Sequence, residues 1–350
     1  SEMCIRDSHM NISAGTTKCY AARKGQRLFM SSIPNSYHHY VTSALQINDA
    51  AQNGAPDFVM QVEEEYHKDV AYIAKQILNP ENRCRIVMLT GPSASGKTTT
   101  AKILGDELEK LGSGAIIISL DDFFLGEART APGRDGKPDY ESVYALDIPQ
   151  VHSCMFDLIH YGTCNMPKFN FNKKRPHEKK TVITLPQGHI AIIEGLHALN
   201  PIFTDELHCH GLLKLYVSVK QGVAASNGKL LLSAQDIRFL RRLVRDYSYR
   251  RADPEFTFDI WQSVCAGEKK NIAPYKKHSD FTLNTIHLYE PCVVGKKAYP
   301  LLSQIEEESV HYEKARRLME SIERFSPLDE ALIPRTSMIR EFIGGGSYKY

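Results

Sequence analysis

The sequence predicts an α/β fold, a parallel sheet with helices on both faces. Two observations carry that expectation. Short apolar runs at 85–90, 115–120, 189–194, 212–219 and 281–286 alternate with helical patterns at 97–111, 148–161, 234–249 and 304–324. Short buried strands separated by helices pair in parallel and need cover on both faces. The second observation is a glycine-rich turn between the first run and the first of those helices. It reads Gly-Pro-Ser-Ala-Ser-Gly-Lys-Thr over 91–98 and fits G-x-x-x-x-G-K-[ST] at every fixed position.

A strand feeding such a turn and then a helix N-terminus is the arrangement that phosphate binding requires. Successive loop N–H groups point inward, the helix dipole adds positive potential, and Lys97 brings a full charge to the β- and γ-phosphates. Thr98 is placed to offer its hydroxyl to Mg²⁺. Gly91, Ser93, Ala94, Ser95, Gly96, Lys97, Thr98 and Thr99 are therefore the candidate ATP contacts, and ATP and Mg²⁺ the expected cofactors. The expected sheet is thus of the P-loop NTPase type.

Before the first strand, Val59, Val62, Tyr66, Val70, Ile73 and Ile77 recur at helical spacing, and Asn79-Pro80 stops that helix. Order is expected to begin near Pro56. Residues 1–10 have no signal-peptide layout and read as a cloning scar or assembly artefact. The rest of 1–55 reads as a poorly ordered or truncated leader, ahead of a phosphate-loop domain over 56–350.

Bulk properties narrow the class. A chain of 350 residues with 42% hydrophobic and 24% charged residues has the make-up of a soluble globular protein. Its net charge of +2 gives no whole-molecule field for nucleic acid or an anionic membrane. No apolar run approaches a membrane span. The eight cysteines lack a C-x-x-C pair, which suggests free thiols and a cytoplasmic setting. His208-Cys209-His210 offers half a metal site at best and reads as a surface turn.

In parallel sheets, ligands sit at the carboxyl ends of the strands. Asp121-Asp122 follows the second run, and acids there, facing a phosphate loop, suit proton abstraction or metal binding; a plain turn is the alternative. Glu194 ends the third run, where a magnesium-side carboxylate is expected. Arg238, Arg241, Arg242 and Arg245 form one basic stripe on the 234–249 helix, with Phe239, Leu240, Leu243, Val244 and Tyr247 opposite. Such crowding calls for a polyanion. A lid folding over transferring phosphates fits better than a nucleic-acid groove.

Taken together, GPSASGKTT, SLDDFF, PDYESVYALD, MPKFNF, IIEGLHALNP and RFLRRLVRDYSYR resemble the uridine kinase and phosphoribulokinase family, in particular bacterial long-form uridine kinase-like nucleoside kinases. The likeness covers roughly 58–346 and includes Trp261, the GEKKNI stretch at 267–272 and the closing REFIGG. The long forms carry a threonyl-tRNA synthetase-like N-terminal domain, which is largely absent here. The resemblance implies Asp121 as the base for a sugar 5′-hydroxyl and Glu194 as the magnesium-side acid. It makes Tyr140 and Glu141 an aromatic–acid pair whose acid holds the ribose hydroxyls. Phe169 and Phe171 pack on the base, Arg242 contacts the sugar, and Arg245 and Arg250 are lid arginines gripping phosphates. Four departures stand out. The pyrimidine-reading histidine of short forms is missing near Lys173-Lys174, Glu141 replaces Asp, Ala252 replaces a lid arginine, and Arg251 replaces glycine.

The expected function is ATP-dependent phosphorylation of a uridine- or cytidine-like nucleoside at its 5′-hydroxyl, with Asp121, Lys97 and Arg245 catalytic. One alternative is another small alcohol, a sugar phosphate or a pantothenate-like acid, which Lys168, Lys173 and Lys174 leave open. The other is a non-catalytic ATP-binding regulatory or RNA-associated protein, against which Asp121 and Glu194 both speak. The sequence does not fix oligomeric state; related kinases are often dimers or tetramers, which leaves a homo-oligomer open.

Overall fold

All five expected apolar runs become strands of one sheet in the computed structural model, which describes residues 40–349 apart from 134, 135, 172, 206 and 208–210. In chain order the elements begin with β1 (Tyr40–Ser43), α1 (Ala44–Asn53), α2 (Ala55–Ile77), β2 (Ile86–Thr90), α3 (Lys97–Lys110), β3 (Ala115–Ser119) and α4 (Ile148–Tyr161). The short pieces β4 (Thr163–Met166), β5 (Phe169–Asn170), β6 (Arg175–Pro176) and β7 (Thr181–Thr184) follow, then β8 (Ile190–Glu194), α5 (Pro201–Thr204), β9 (Leu212–Ser218), β10 (Gln221–Ala224) and β11 (Leu230–Leu232). The remainder is α6 (Ala234–Arg250), α7 (Pro254–Asn271), α8 (Ala273–Lys276), β12 (Phe281–Asn284), α9 (Glu290–Leu302), α10 (Tyr312–Ile322) and α11 (Arg340–Ile343).

The main sheet runs β12-β9-β2-β8-β3, and every pairing in it is parallel. Its strands alternate between two cores. Val87, Leu89, Ile190, Ile192, Leu213 and Leu215 face α2, α3, α6 and α9, whereas Ile86, Met88, Ala191 and Ile193 face α4 and the 120–124 segment. Burial on both faces is why these runs are apolar throughout, since a sheet with one wet face would show polar residues at every second position. β2, which feeds the phosphate loop, is the central strand, so the loop emerges mid-sheet between the ends of β8 and β9.

Helix boundaries follow local chemistry. Asp147 caps α4 by accepting from the Gln150 N–H, and Gly162 closes it at φ 72°. Ser233 and Asp236 form a reciprocal capping box at the start of α6. Asp253 and Pro254 open α7.

Two expectations are corrected. Order is established by Tyr40, not near Pro56: β1 pairs parallel with β10, and Ala44, Ile47 and Ala51 of α1 are buried in the main core. These small residues make a short apolar stripe that is easy to overlook. The helix expected over 304–324 is confined to Tyr312–Ile322. Three successive glutamates at 306–308 supply no apolar face, and Val310 is 91% exposed. The helices α7 and α9 were not anticipated. Residues 1–39 and the His208-Cys209-His210 turn lie outside the described residues.

Candidate active site

The phosphate loop is held in shape by close packing at its two fixed glycines. A Cβ on Gly91 would sit 2.1 Å from the Val217 carbonyl oxygen, so only hydrogen fits against β9. Gly96 takes φ 84°, the left-handed conformation that opens α3, and a Cβ there would also meet the Met338 sulfur at 2.4 Å. Ala94 adopts φ 55° between them. Lys97 Nζ donates to the Pro92 carbonyl at 3.2 Å, folding the side chain back over the loop. Ser95 is fully buried, and its hydroxyl has no hydrogen-bond partner within the described chain. A phosphate oxygen would satisfy such a donor.

Thr98, Thr99 and Thr100 open α3 and point to different neighbours. Thr98 Oγ1 lies 3.4 Å from Glu194 Oε1, Thr99 Oγ1 donates to Glu341 Oε2 at 2.5 Å, and Thr100 shares a hydrogen bond with the Tyr66 hydroxyl at 2.7 Å. Thr99 is fully buried, so its side chain ties the helix to the C-terminal segment and is not free for a ligand. Glu194, 5% exposed, ends β8. Burial first, then the nearby Asp121 charge, pushes its carboxyl up to about 7, while Lys97 opposes the rise.

Asp121 and Asp122 share a short turn after β3 but have separate surroundings. Asp121 is half-buried; burial and Asp122 raise its carboxyl above the usual range, against the pull of Lys97 and Arg250. Asp122 is buried and fully used: Oδ2 receives Lys168 Nζ at 2.9 Å and Oδ1 the Phe169 N–H at 3.2 Å. It therefore fastens the β5 strand to the sheet edge. The structure thus gives the two adjacent acids separate surroundings, with Asp122 the one tied to Lys168 and the Phe169 N–H.

Beyond Asp121 lies an aromatic wall. Phe124 packs edge-on against both Tyr140 and Phe169, with centroids 5.5 and 5.6 Å apart, and Phe169 against Phe171 at 5.1 Å. Phe169 is buried, whereas Phe171 is 61% exposed and forms the outer rim. The Tyr140 hydroxyl is buried without a partner. Glu141 is half-buried, and burial raises its carboxyl to about 7 although Arg242 draws it down.

The arginine stripe divides in two, which corrects its reading as a continuous polyanion surface. Arg241 is fully buried: Nε and Nη2 bind Glu290 at 2.6 and 2.8 Å, and Nη2 also donates to the Thr285 carbonyl at 2.6 Å. Arg238 makes a two-pronged bond to Glu268 at 2.7 and 2.9 Å. Both acids come from other helices, so the sequence around α6 gave no hint of them. The second half is arranged differently. Arg242, Arg245 and Arg250 all pair with Asp246, at 3.1, 2.7 and 3.5 Å, and Arg242 Nη1 donates to Ser93 Oγ at 2.7 Å. Asp246 cannot offset three guanidinium groups alone, and Arg242 and Arg250 also face the Glu141 and Asp121 carboxyls beside the phosphate loop.

Two groups escaped the sequence reading. Glu268 accepts from the Ser93 N–H at 2.6 Å, though in a Gly-Glu-Lys-Lys run it looks like part of a solvated face. His197, 3% exposed, sits against the Glu141 backbone, and burial pushes its imidazole down to about 4, so it is neutral.

The donors suit magnesium. Thr98 and Glu194 both present oxygen donors, and the buried Glu194 carboxylate beside Asp121 is only partly balanced by Lys97. Among the described residues, no group of three or more His, Cys, Asp or Glu gathers into a metal cage. That fits an ion held by few protein groups together with substrate phosphates. No helix among the described residues is long and apolar enough to cross a membrane.

Comparison with known proteins agrees with this geometry. The chain is 23% identical over 210 residues to a uridine kinase of Deinococcus deserti, covering 59% of this chain and 91% of that protein. A uridine kinase of Lactobacillus johnsonii is 27% identical over 196 residues, covering 56% and 83%. The solved structure of D-glycerate 3-kinase from Cryptococcus neoformans matches 65% of this chain and 87% of its own at 13% identity, with a TM-score of 0.36, too loose to add to the argument. The model of the Phosphoribulokinase / Uridine kinase family matches residues 86–288, from the first strand of the main sheet past its last. The chain belongs to that family and is an ATP-dependent kinase with an alcohol group as acceptor.

Proposed function

We propose that the protein transfers the γ-phosphoryl group of ATP to the 5′-hydroxyl of a nucleoside of uridine or cytidine type. The observation that carries the reading is the clustering of Asp121, Glu194 and Lys97 at the carboxyl edge of the sheet, with the Tyr140–Glu141–Phe169 wall beside them. Gly91, Ala94 and Gly96 cradle the phosphates through their N–H groups, and Lys97 neutralises charge on the β- and γ-phosphates. The Ser93 and Ser95 N–H groups are taken by Glu268 and the Pro92 carbonyl, which leaves the buried Ser95 hydroxyl as that residue's phosphate donor. Thr98 and Glu194 hold Mg²⁺, which when bound supplies further neutralisation of phosphate charge. Asp121 orients the acceptor hydroxyl and takes its proton. Burial and Asp122 hold its carboxyl above the usual range, and a carboxylate so raised is a better base than an ordinary aspartate. Glu141 holds the ribose hydroxyls, Phe169 and Phe171 flank the base, and Arg242 contacts the sugar. Arg245 and Arg250 close over the transferring phosphoryl, so that α6 works as a lid.

The charge pattern favours a neutral acceptor over a sugar phosphate. Lys168 is committed to Asp122, and Lys174 faces Glu127 at 3.7 Å. The RNA reading loses its support, because Arg238 and Arg241 are consumed in buried ion pairs. An ADP-release screen of nucleosides, sugar phosphates and pantothenate-like acids with MgATP tests the proposal. Turnover is expected with pyrimidine nucleosides. Turnover confined to sugar phosphates would overturn the acceptor, and none with any alcohol would revive the non-catalytic reading.

A further inference from the structure

The last turn of α7 touches both halves of the site. On one side, Glu268 Oε1 accepts from the Ser93 N–H at 2.6 Å, and its partner Arg238 donates to the Ser93 carbonyl at 2.9 Å. One ion pair thus grips the peptide groups on both sides of Ser93, in the middle of the phosphate loop. Arg238 itself lies 5.5 Å from the Trp261 ring centroid, which limits its freedom. On the other side, Asn271 Nδ2 donates to the Glu141 carbonyl at 2.6 Å. Gly267 lies so close that a Cβ there would come within 2.9 Å of Glu141 Oε2 and 3.2 Å of its Cβ and Cγ. Gly267 and Asn271 are four residues apart and share a helix face, while Glu268 is turned about 100° from Gly267.

We infer that this turn is a positioning device that registers the phosphate loop against the acceptor-side acid, with Glu268 acting on the donor and Asn271 and Gly267 on the acceptor. None of the three reaches the reacting atoms. Each acts through another residue, Ser93 in one case and Glu141 in the other. A helix is stiff over one turn, so fixing both contacts on it sets the distance between the two substrates, and small errors in that distance cost rate. The acceptor arm rests on the proposed reading of Glu141.

The test compares Glu268→Ala, Glu268→Gln, Asn271→Ala and Gly267→Ala in the full chain. Readouts are KM for MgATP, KM for the nucleoside that the wild type phosphorylates, kcat, MgATP affinity by calorimetry and melting temperature. Glu268→Ala is expected to weaken MgATP binding by about 10- to 100-fold, the loss of a hydrogen bond to a charged group, with nucleoside KM little changed. Glu268→Gln, which keeps an acceptor for the Ser93 N–H, should recover part of that loss; it decides the question should Glu268→Ala fail to fold. Asn271→Ala and Gly267→Ala should raise nucleoside KM and leave MgATP affinity alone. Equal effects on both substrates, or a lowered melting temperature with neither KM moved, would overturn the inference while the functional reading stands. A wild type that binds MgATP but phosphorylates no nucleoside would sink that reading alone, and the inference is then decided by MgATP affinity in the two Glu268 variants.

Discussion

Asp121→Asn and Asp122→Asn form a pair in which identical chemistry at adjacent positions should give opposite results. Asp121→Asn keeps volume and polarity but cannot take a proton, so phosphoryl transfer should fall by about 10²–10⁴-fold, the range for a positioned general base. Stability should not fall with it. Burial and the Asp122 charge already hold the Asp121 carboxyl above its ordinary range, so its charged form is unfavourable in the ligand-free protein. A neutral amide relieves that strain, and the melting temperature at neutral pH should hold or rise. Asp122→Asn retains an oxygen for the Phe169 N–H and loses the charge that Lys168 faces. Lys168 is 63% exposed, so the lost pair is worth about 1 kcal/mol or less. Activity should drop much less than in Asp121→Asn, and MgATP affinity should hardly move in either variant. The assay is initial-rate ADP release with acceptor present, beside thermal melts of each variant. A greater loss in Asp122→Asn would mean that the base is misassigned. Parallel loss of activity and melting temperature in Asp121→Asn would reduce that residue to a structural part.

Three further outcomes follow from the same geometry. Lys97→Ala should lower turnover by at least about 10²-fold, as for other groups that stabilise developing charge, with the fold intact because the side chain lies over the loop and not in the core; near-normal turnover would remove the loop from the chemistry. Arg241→Met should cost about 3–5 kcal/mol in urea unfolding because it strands the buried Glu290, whereas Arg242→Met should weaken substrate binding with little loss of stability, and the reverse ranking would contradict the division of the stripe. The Glu194 carboxyl sits at about 7 when folded and near 4.5 when unfolded. The folded state therefore binds the extra proton between those values, and its stability falls as pH rises through that window, by up to about 3 kcal/mol at about 1.4 kcal/mol per pH unit. In EDTA, Glu194→Gln should accordingly raise the melting temperature at pH 8 and leave it unchanged at pH 4.5; a lower value at pH 8 would refute the assignment.

The sequence by itself determined the sheet, the phosphate loop and the edge where ligands sit. Strands buried on both faces must be apolar throughout, so 85–90, 115–120, 189–194, 212–219 and 281–286 declare themselves by composition. The loop declares itself because Gly96 needs a left-handed φ, a local steric demand, and Lys97 must follow it directly. The acids at 121 and 194 were found by counting to the ends of those strands. Only the tertiary structure decided which charged residues are free to act. Arg241 and Arg242 are neighbours on one helix, yet one is sealed against Glu290 and the other reaches Ser93. Asp121 and Asp122 are neighbours on one turn, yet Lys168 and the Phe169 N–H claim only the second. Glu268 and Asn271, which hold Ser93 and Glu141, stand in a run of charged and polar residues with no periodic signal. The physical reason is the same in each case. Apolar burial and backbone sterics act over a few residues and so mark the local sequence, whereas an ion pair is settled by a partner brought from a distant element, and no local pattern records it.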